Sequence, residues 1–213
     1  MANKDIELWN AYYQESGAYV NKKNISNIDE LEKYERNITD IKLNELHDNP
    51  IQGHFDIKHL RDIHRYLFDE LYEWAGEYRD VYMKIEGKAG NYFAPVPKID
   101  ALLEEDILML NTDMKYVYNI DTLADFITNH YVALVNVHPF REGNGRAIRE
   151  FLREYIVNKT EILWGISYDL DWTRVNHTLI DELMPFGRAY SGVIRMEILK
   201  AIVPYKKENS VRK

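Results

Sequence analysis

The chain contains no cysteine among its 213 residues. That excludes disulfides, thiolate metal sites and a cysteine nucleophile together. Glycine and proline are scarce, at 10 and 6, so punctuation is sparse and the apolar residues should fall mostly at helical spacing. Nowhere do eighteen apolar residues run together, and the opening stretch MANKDIELWN has no apolar core of the kind a secretory leader carries. No membrane role is expected, and a cytoplasmic home is. Positive charge is also short. A net charge of −8 argues against a broad footprint for nucleic acid, so no direct nucleic-acid partner is expected. Repeats and low-complexity segments are missing as well.

What is present reads as a mainly helical, all-α single domain with one short β-hairpin. Ser26, followed by Asp29 and Glu30, looks like a helix cap, with Leu31, Tyr34, Ile38, Ile41 and Leu46 forming the apolar run behind it. Pro50 and Gly53 break that run. Asp56 can cap a second helix, in which Ile57, Leu60, Ile63, Leu67, Leu71 and Trp74 recur every three or four residues and Gly76 closes the end. Between Arg79 and Pro97 the pattern changes. Val81, Met83 and Ile85 alternate, and Gly87 and Gly90 precede Tyr92 and Phe93, which predicts a hairpin. Helices are expected again from about Pro97, after Asp121, over Asp171 to Met184 and over Arg188 to Val203. The division expected is an N-terminal helical segment over 1–50, a domain over 51–203 and a polar tail over 204–213.

The chemistry is concentrated in His138-Pro139-Phe140-Arg141-Glu142-Gly143-Asn144-Gly145-Arg146-Ala147-Ile148-Arg149. Phe126, Ile127, Val132 and Leu134 mark a helix before it, which the His-Pro step should end. Ile148, Phe151, Leu152, Tyr155 and Ile156 mark a helix after it. The polar cluster therefore falls on the loop entering a helix N-terminus, where backbone amides lack internal partners and the dipole is positive. Gly143 and Gly145 let the backbone curl and let an anion approach closely. Arg146 and Arg149 lie one turn apart and suit a polyphosphate, Glu142 suits a hard cation bridging to it, and His138 can take a proton near neutral pH. Each residue also has a plain reading: a turn, a helix terminus, a solvated arginine. Their occurrence together in this order is what points to a site. His54, His59 and His64 read as structural, because His59 and His64 lie five apart and helical metal ligands favour three or four.

This segment resembles the signature of Fic domains, His-x-Phe-x-(Asp/Glu)-Gly-Asn-Gly-Arg-x-x-Arg, at every fixed position. The resemblance extends to Leu67 through Arg79, to Phe93-Ala94-Pro95, to Asp171-Trp172 and to the stretch from Tyr19-Val20-Asn21 through Glu35. It implies the Fic fold and a protein adenylyltransferase, with ATP as substrate and Mg2+ as cofactor. His138 would deprotonate the target hydroxyl and Phe140 would anchor the loop. Glu142 would hold the magnesium, Gly143, Asn144 and Gly145 the anion hole, and Arg146 and Arg149 the phosphates. The hairpin Met83 to Phe93 would be the flap that aligns a target segment. Ile85 and Glu86, standing where the family often has Lys-Gly, are counted with the nucleotide contacts. Altered relatives act as kinases or move phosphocholine, and a non-catalytic nucleotide-binding module is a further alternative; the intact His138 and the Glu142 to Arg146 run favour adenylyl transfer.

Small members resemble toxins that modify DNA gyrase and topoisomerase IV. Fic proteins are often restrained by a helix bearing (Ser/Thr)-x-x-x-Glu-(Gly/Asn). Here Ser26 to Glu30 and Thr178 to Glu182 match five positions, but Leu31 and Leu183 follow. The expectation is a separate small antitoxin that supplies the glutamate to Arg149.

Overall fold

The computed structural model describes residues 3–84, 93–184 and 189–205. Among them are eight α-helices: α1 Asn3–Ala11, α2 Ile28–Asp48, α3 Ile57–Phe68, α4 Ile99–Asp113, α5 Ile120–Val137, α6 Asn144–Trp164, α7 His177–Leu183 and α8 Ser191–Ala201. The two central helices have clear local causes. Asn119 and Thr122 close a reciprocal capping box at the start of α5. In α6, Ala147, Ile148, Phe151, Leu152, Tyr155 and Ile156 are all buried at helical spacing. α5 and α6 pack on each other, α3 packs on α6, and α8 packs on α5. The mainly helical architecture is the one expected.

Several boundaries differ from the sequence reading. α2 is capped by Asn27 rather than Ser26, because the Asn27 side chain accepts from Glu30 N–H at 2.9 Å. α3 is capped by Asp56 as expected but stops at Phe68, six residues before Trp74. The Phe68 carbonyl accepts from both Leu71 and Tyr72 N–H at 2.9 Å, and the chain turns there. Gly76, with φ of +80°, sits in that following stretch rather than behind a helix. Asp171 to Met184 is not one helix: Asp171 caps a short 3-10 turn at Trp172–Arg174, and Asn176 then caps α7 through Leu179 N–H.

The expected start of the last helix at Arg188 lies outside the described residues. Its end comes earlier than expected, because Ile202–Pro204 forms strand β2, antiparallel to β1 Tyr168–Leu170 with Leu170 opposite Ile202. This strand pair was not foreseen. Tyr205 N–H continues it by donating to the Ser167 carbonyl at 2.9 Å. The interior of the expected hairpin, with Ile85, Glu86, Gly87, Gly90 and Tyr92, lies outside the described residues. Its base is visible, where Phe93 N–H donates to the Met83 carbonyl at 3.1 Å. No helix among the described residues is long and apolar enough to cross a membrane.

Candidate active site

α5 ends at His138, which adopts the left-handed conformation (φ +51°, ψ +61°) directly before Pro139. The proline ends the helix as expected, but by an unusual route. A non-glycine residue held there costs about 1–2 kcal/mol, so neighbouring contacts must hold it. They are present. The His138 carbonyl accepts from Arg79 Nε at 2.7 Å, and its ring stacks on Phe93 with centroids 3.8 Å apart. Phe93 is the residue whose N–H closes the hairpin base, so His138 and the hairpin are mechanically joined.

The loop is stapled from within and from behind. Asn144 Oδ1 accepts from Phe140 N–H and Asn144 Nδ2 donates to the Phe140 carbonyl, each at 2.8 Å. The buried Asn144 side chain is therefore spent on the loop, and only its backbone amide remains to face an anion. Phe140 is fully buried and stacks on His64 at 3.8 Å. His64 Nδ1 accepts from Gly76 N–H at 2.8 Å, which fixes the proton on Nε2 and makes that nitrogen donate to the Glu142 carbonyl at 2.9 Å. His59 is engaged elsewhere, donating to Glu154 at 2.8 Å, and His54 is exposed. The three histidines thus do separate jobs.

Gly143 has φ of +77°, and a Cβ there would stand 2.2 Å from the Phe68 ring, so conformation and space both demand glycine. Its N–H donates to its neighbour Glu142 Oε1 at 2.8 Å. A carboxylate oxygen thus already rests at the mouth of the helix end, in a place that welcomes negative charge. Ala147 N–H is the first to find an intrahelical partner, the Gly143 carbonyl at 3.1 Å. The helix itself leaves the amides of Asn144, Gly145 and Arg146 open.

Arg146 and Arg149 both line a cleft of about 1450 Å3 between α2, α6 and the segment from β1 to α7. They are held differently. Arg146 Nη2 donates to Glu35 Oε1 at 2.5 Å, Nη1 to Thr39 Oγ1 at 3.2 Å, and the guanidinium lies 4.7 Å from the Phe68 ring centroid. Tyr72 O–H binds the other Glu35 oxygen. Among the described residues, the Arg149 side chain has the Tyr131 hydroxyl as its hydrogen-bond partner, accepting from Nη1 at 3.4 Å, while its carbonyl accepts from Trp172 Nε1 at 3.2 Å. Among the described residues, the carboxylates that meet a signature arginine are thus Glu35 and, farther off at 3.7 Å, Glu142, both on Arg146. Glu30 and Glu182 are exposed, and among the described residues neither forms an ion pair with Arg149.

Glu35, Thr39 and Arg79 are the residues that sequence reasoning missed, while His64, read there as structural, supports the loop. Glu35 lies 111 positions from Arg146 and carries no local mark of pairing. Arg79 is 1% exposed. Besides His138, its guanidinium donates to the carbonyls of Val81 at 2.8 Å, Ala94 at 2.5 Å and Val137 at 3.4 Å. It ties the entry and exit of the hairpin to the end of α5, and burial pushes its pKa down to about 10.

Two imidazoles here are strongly perturbed. Burial first, and then the nearby Arg79 charge, push His138 down to about 3. His64 is also pushed down to about 3, by burial, against the opposing hydrogen bond to Glu142. Both rings are neutral in the fold, whereas an imidazole in the unfolded chain titrates near 6.5. With the folded value below the unfolded one, the stability involved is complete above about pH 6.5 and drains away toward pH 3. The free energy of unfolding should fall by up to about 1.4 kcal/mol per pH unit for each ring below pH 6. Denaturant titrations at pH 7, 6 and 5 check this, and a flat profile would mean that the rings charge freely inside the fold.

The profile of the Fic/DOC family matches residues 54–156, which contain this whole loop. The chain is 31% identical over 177 residues to a Sinorhizobium fredii protein named probable protein adenylyltransferase y4lH, covering 81% of this chain and 83% of that one. It is 32% identical over 164 residues to the protein adenylyltransferase VbhT of Bartonella schoenbuchensis, a match covering 76% of this chain but only 32% of VbhT. Among solved structures, the Fic domain of a Bartonella quintana effector with bound ADP superposes with a TM-score of 0.78 at 23% identity, over 93% of this chain and 96% of that one. The BepC effector of Bartonella tribocorum with bound AMPPNP gives 0.76 at 23%, over 92% and 98%. This chain belongs to the Fic/DOC family.

Proposed function

We propose that this chain is a protein adenylyltransferase that moves AMP from ATP to a hydroxyl of another protein. The observation that carries the reading is the placement of His138 on one loop with the open amide end of α6, whose Arg146 and Arg149 line a large cleft. The relatives named adenylyltransferases support it. In this step the target oxygen bonds to the α-phosphorus, the bond from that phosphorus to the oxygen bridging to the β-phosphorus breaks, and pyrophosphate leaves. His138 accepts the hydroxyl proton. The open amides of α6 and Arg146 stabilise the charge on the phosphates, and Arg149 takes the γ-phosphate. The hairpin from Met83 to Phe93 aligns the target by backbone pairing. Ile85 and Glu86 on it are proposed nucleotide contacts.

Glu142 is suited to magnesium. Its side chain is 42% exposed, and with Oε1 accepting from Gly143 N–H the other oxygen is open to a hard cation. Among the described residues no group of three His, Asp or Glu forms a ready-made metal cluster. The phosphates of ATP would therefore complete the coordination, as Mg2+ commonly requires. Bound there, the ion neutralises phosphate charge. Glu142→Ala should lower transfer by about a hundredfold while shifting thermal unfolding little, since a half-exposed loop carboxylate adds little to the core. Full activity of that variant in magnesium would remove Glu142 from this role.

The test of the reading is incubation with a cell lysate and ATP labelled at either the α- or the γ-phosphate. Adenylyl transfer moves only the α-label into protein, a kinase moves only the γ-label, and a binding module moves neither. DNA gyrase and topoisomerase IV are the first targets to assay, followed by mass spectrometry of AMP-modified proteins.

Arg149, with a tyrosine hydroxyl as its polar side-chain partner among the described residues, is the group a separate antitoxin would cap with a glutamate. Glu30→Ala and Glu182→Ala should each leave the rate within about twofold, as surface substitutions do. A many-fold rise in either purified variant would place the restraint inside this chain.

A further inference from the structure

Arg141 lies between the base and the proposed metal carboxylate, and it is 2% exposed. Among the described residues it forms no ion pair with a carboxylate, and its Nε has no hydrogen-bond partner. What surrounds it is aromatic. The guanidinium carbon lies 4.3 Å from the Trp9 ring centroid, 5.1 Å from Tyr19, 5.2 Å from Tyr12 and 5.3 Å from Tyr13. Nη2 donates to the Tyr13 hydroxyl, and Nη1 lies 3.9 Å from Met83 Sδ at the base of the hairpin.

All four rings come from α1 and the turn after it. Tyr13 and Tyr19 stack at 5.0 Å and are joined by a β-bridge, and Tyr12 O–H donates to Asp80 Oδ1 at 2.6 Å, just ahead of the hairpin. The N-terminal segment therefore grips the catalytic loop and the hairpin entry at once. Stability alone is a poor account of this arrangement, because an apolar side chain of the same volume would avoid the desolvation of a buried charge. What a planar guanidinium adds is direction: ring faces and a hydroxyl fix its plane, and the plane fixes the backbone of the loop.

We infer that residues 9–19 form an aromatic socket that sets the position of His138 and Glu142 through Arg141, making Trp9, Tyr13 and Tyr19 positioning residues for the transfer step. The inference rests on the adenylyl-transfer reading for its effect on rate, but not for its effect on the loop.

The experiment compares Arg141→Met, Arg141→Lys and Trp9→Leu in the full chain. Hydrogen exchange is followed at the Phe140 and Gly143 amides, both bonded within the loop, with α4 as internal reference. AMPPNP affinity and α-label transfer into lysate protein at saturating ATP are measured alongside. Arg141→Met and Trp9→Leu should speed loop exchange at least about tenfold relative to α4, and lower transfer about tenfold to a hundredfold with AMPPNP affinity nearly unchanged, the pattern of misplaced groups. Arg141→Lys should recover part of both, since an ammonium still attracts the rings. Unchanged loop exchange in Trp9→Leu overturns the inference even if Arg141→Met fails to fold. So does an equal rise in α4, which would mark a general loss of stability. If the parent chain transfers no label while the loop still responds, the adenylyl-transfer reading fails and the socket stands.

Discussion

Replacing His138 with alanine is expected to lower AMP transfer by about 10³-fold or more, within the range that a general base supplies, while AMPPNP affinity stays nearly constant. The separation follows from the geometry. The ring stacks on Phe93 and ends α5, whereas the groups offered to phosphate are the open amides of α6 and the two arginines. A complication is that His138 also closes a helix in the left-handed region, which alanine dislikes. His138→Asn tolerates that backbone better and cannot act as the base, so it should show the same loss with less destabilisation. Transfer by either variant within about tenfold of the parent would assign the proton to another group.

The second large effect is expected on stability, at Arg79. Arg79→Met removes the donor from four carbonyls, those of Val81, Ala94, Val137 and His138. Each buried acceptor left without a partner costs about 1–3 kcal/mol, with partial relief as water or neighbours move in. A loss of about 3–5 kcal/mol is expected, the size seen when a buried polar network is broken. For a chain of this length that lowers the unfolding midpoint by about 10 °C or more. Arg79→Lys keeps the charge but offers one compact donor group in place of a fork, so it should fall between the two. A midpoint within about 2 °C of the parent for Arg79→Met, by calorimetry, would mean that the four carbonyls find other donors at no cost.

How much of this was legible in the sequence depended on how local the cause was. The end of α5, the start of α6 and the polar loop between them could be read, because long apolar periodicity and a His-Pro step act within a few residues. The end of α3 could not. Leu71, Tyr72 and Ala75 are buried from turns as completely as they would have been from a helix, so burial spacing alone does not tell the two apart. Ile202 and Val203 continue the apolar face of α8 on paper, and only the presence of β1 across from them makes a strand. Within the site, the signature residues announced themselves as a run, but their supports did not. Glu35, Thr39 and Arg79 look like ordinary surface residues until three-dimensional packing brings them to the loop, and His64, read as structural, gave no sign of which part it supports.

The base of the hairpin has a consequence for how such a protein changes over generations. Met83 and Phe93 are bonded to each other, and Arg79 clamps the carbonyls of Val81 and Ala94 on either side. The two ends of the intervening stretch are therefore held together by parts that do not depend on what lies between them. Lengthening a segment whose ends are already fixed costs only about 0.6 kcal/mol per doubling. Insertions, deletions and exchanges beyond the proposed contacts Ile85 and Glu86, up to position 93, leave these anchors, and the end of α5 that Arg79 also holds, in place. On the proposed target-aligning role of the hairpin, a lineage can thus vary what it presents to a client protein while its anchors are inherited unchanged.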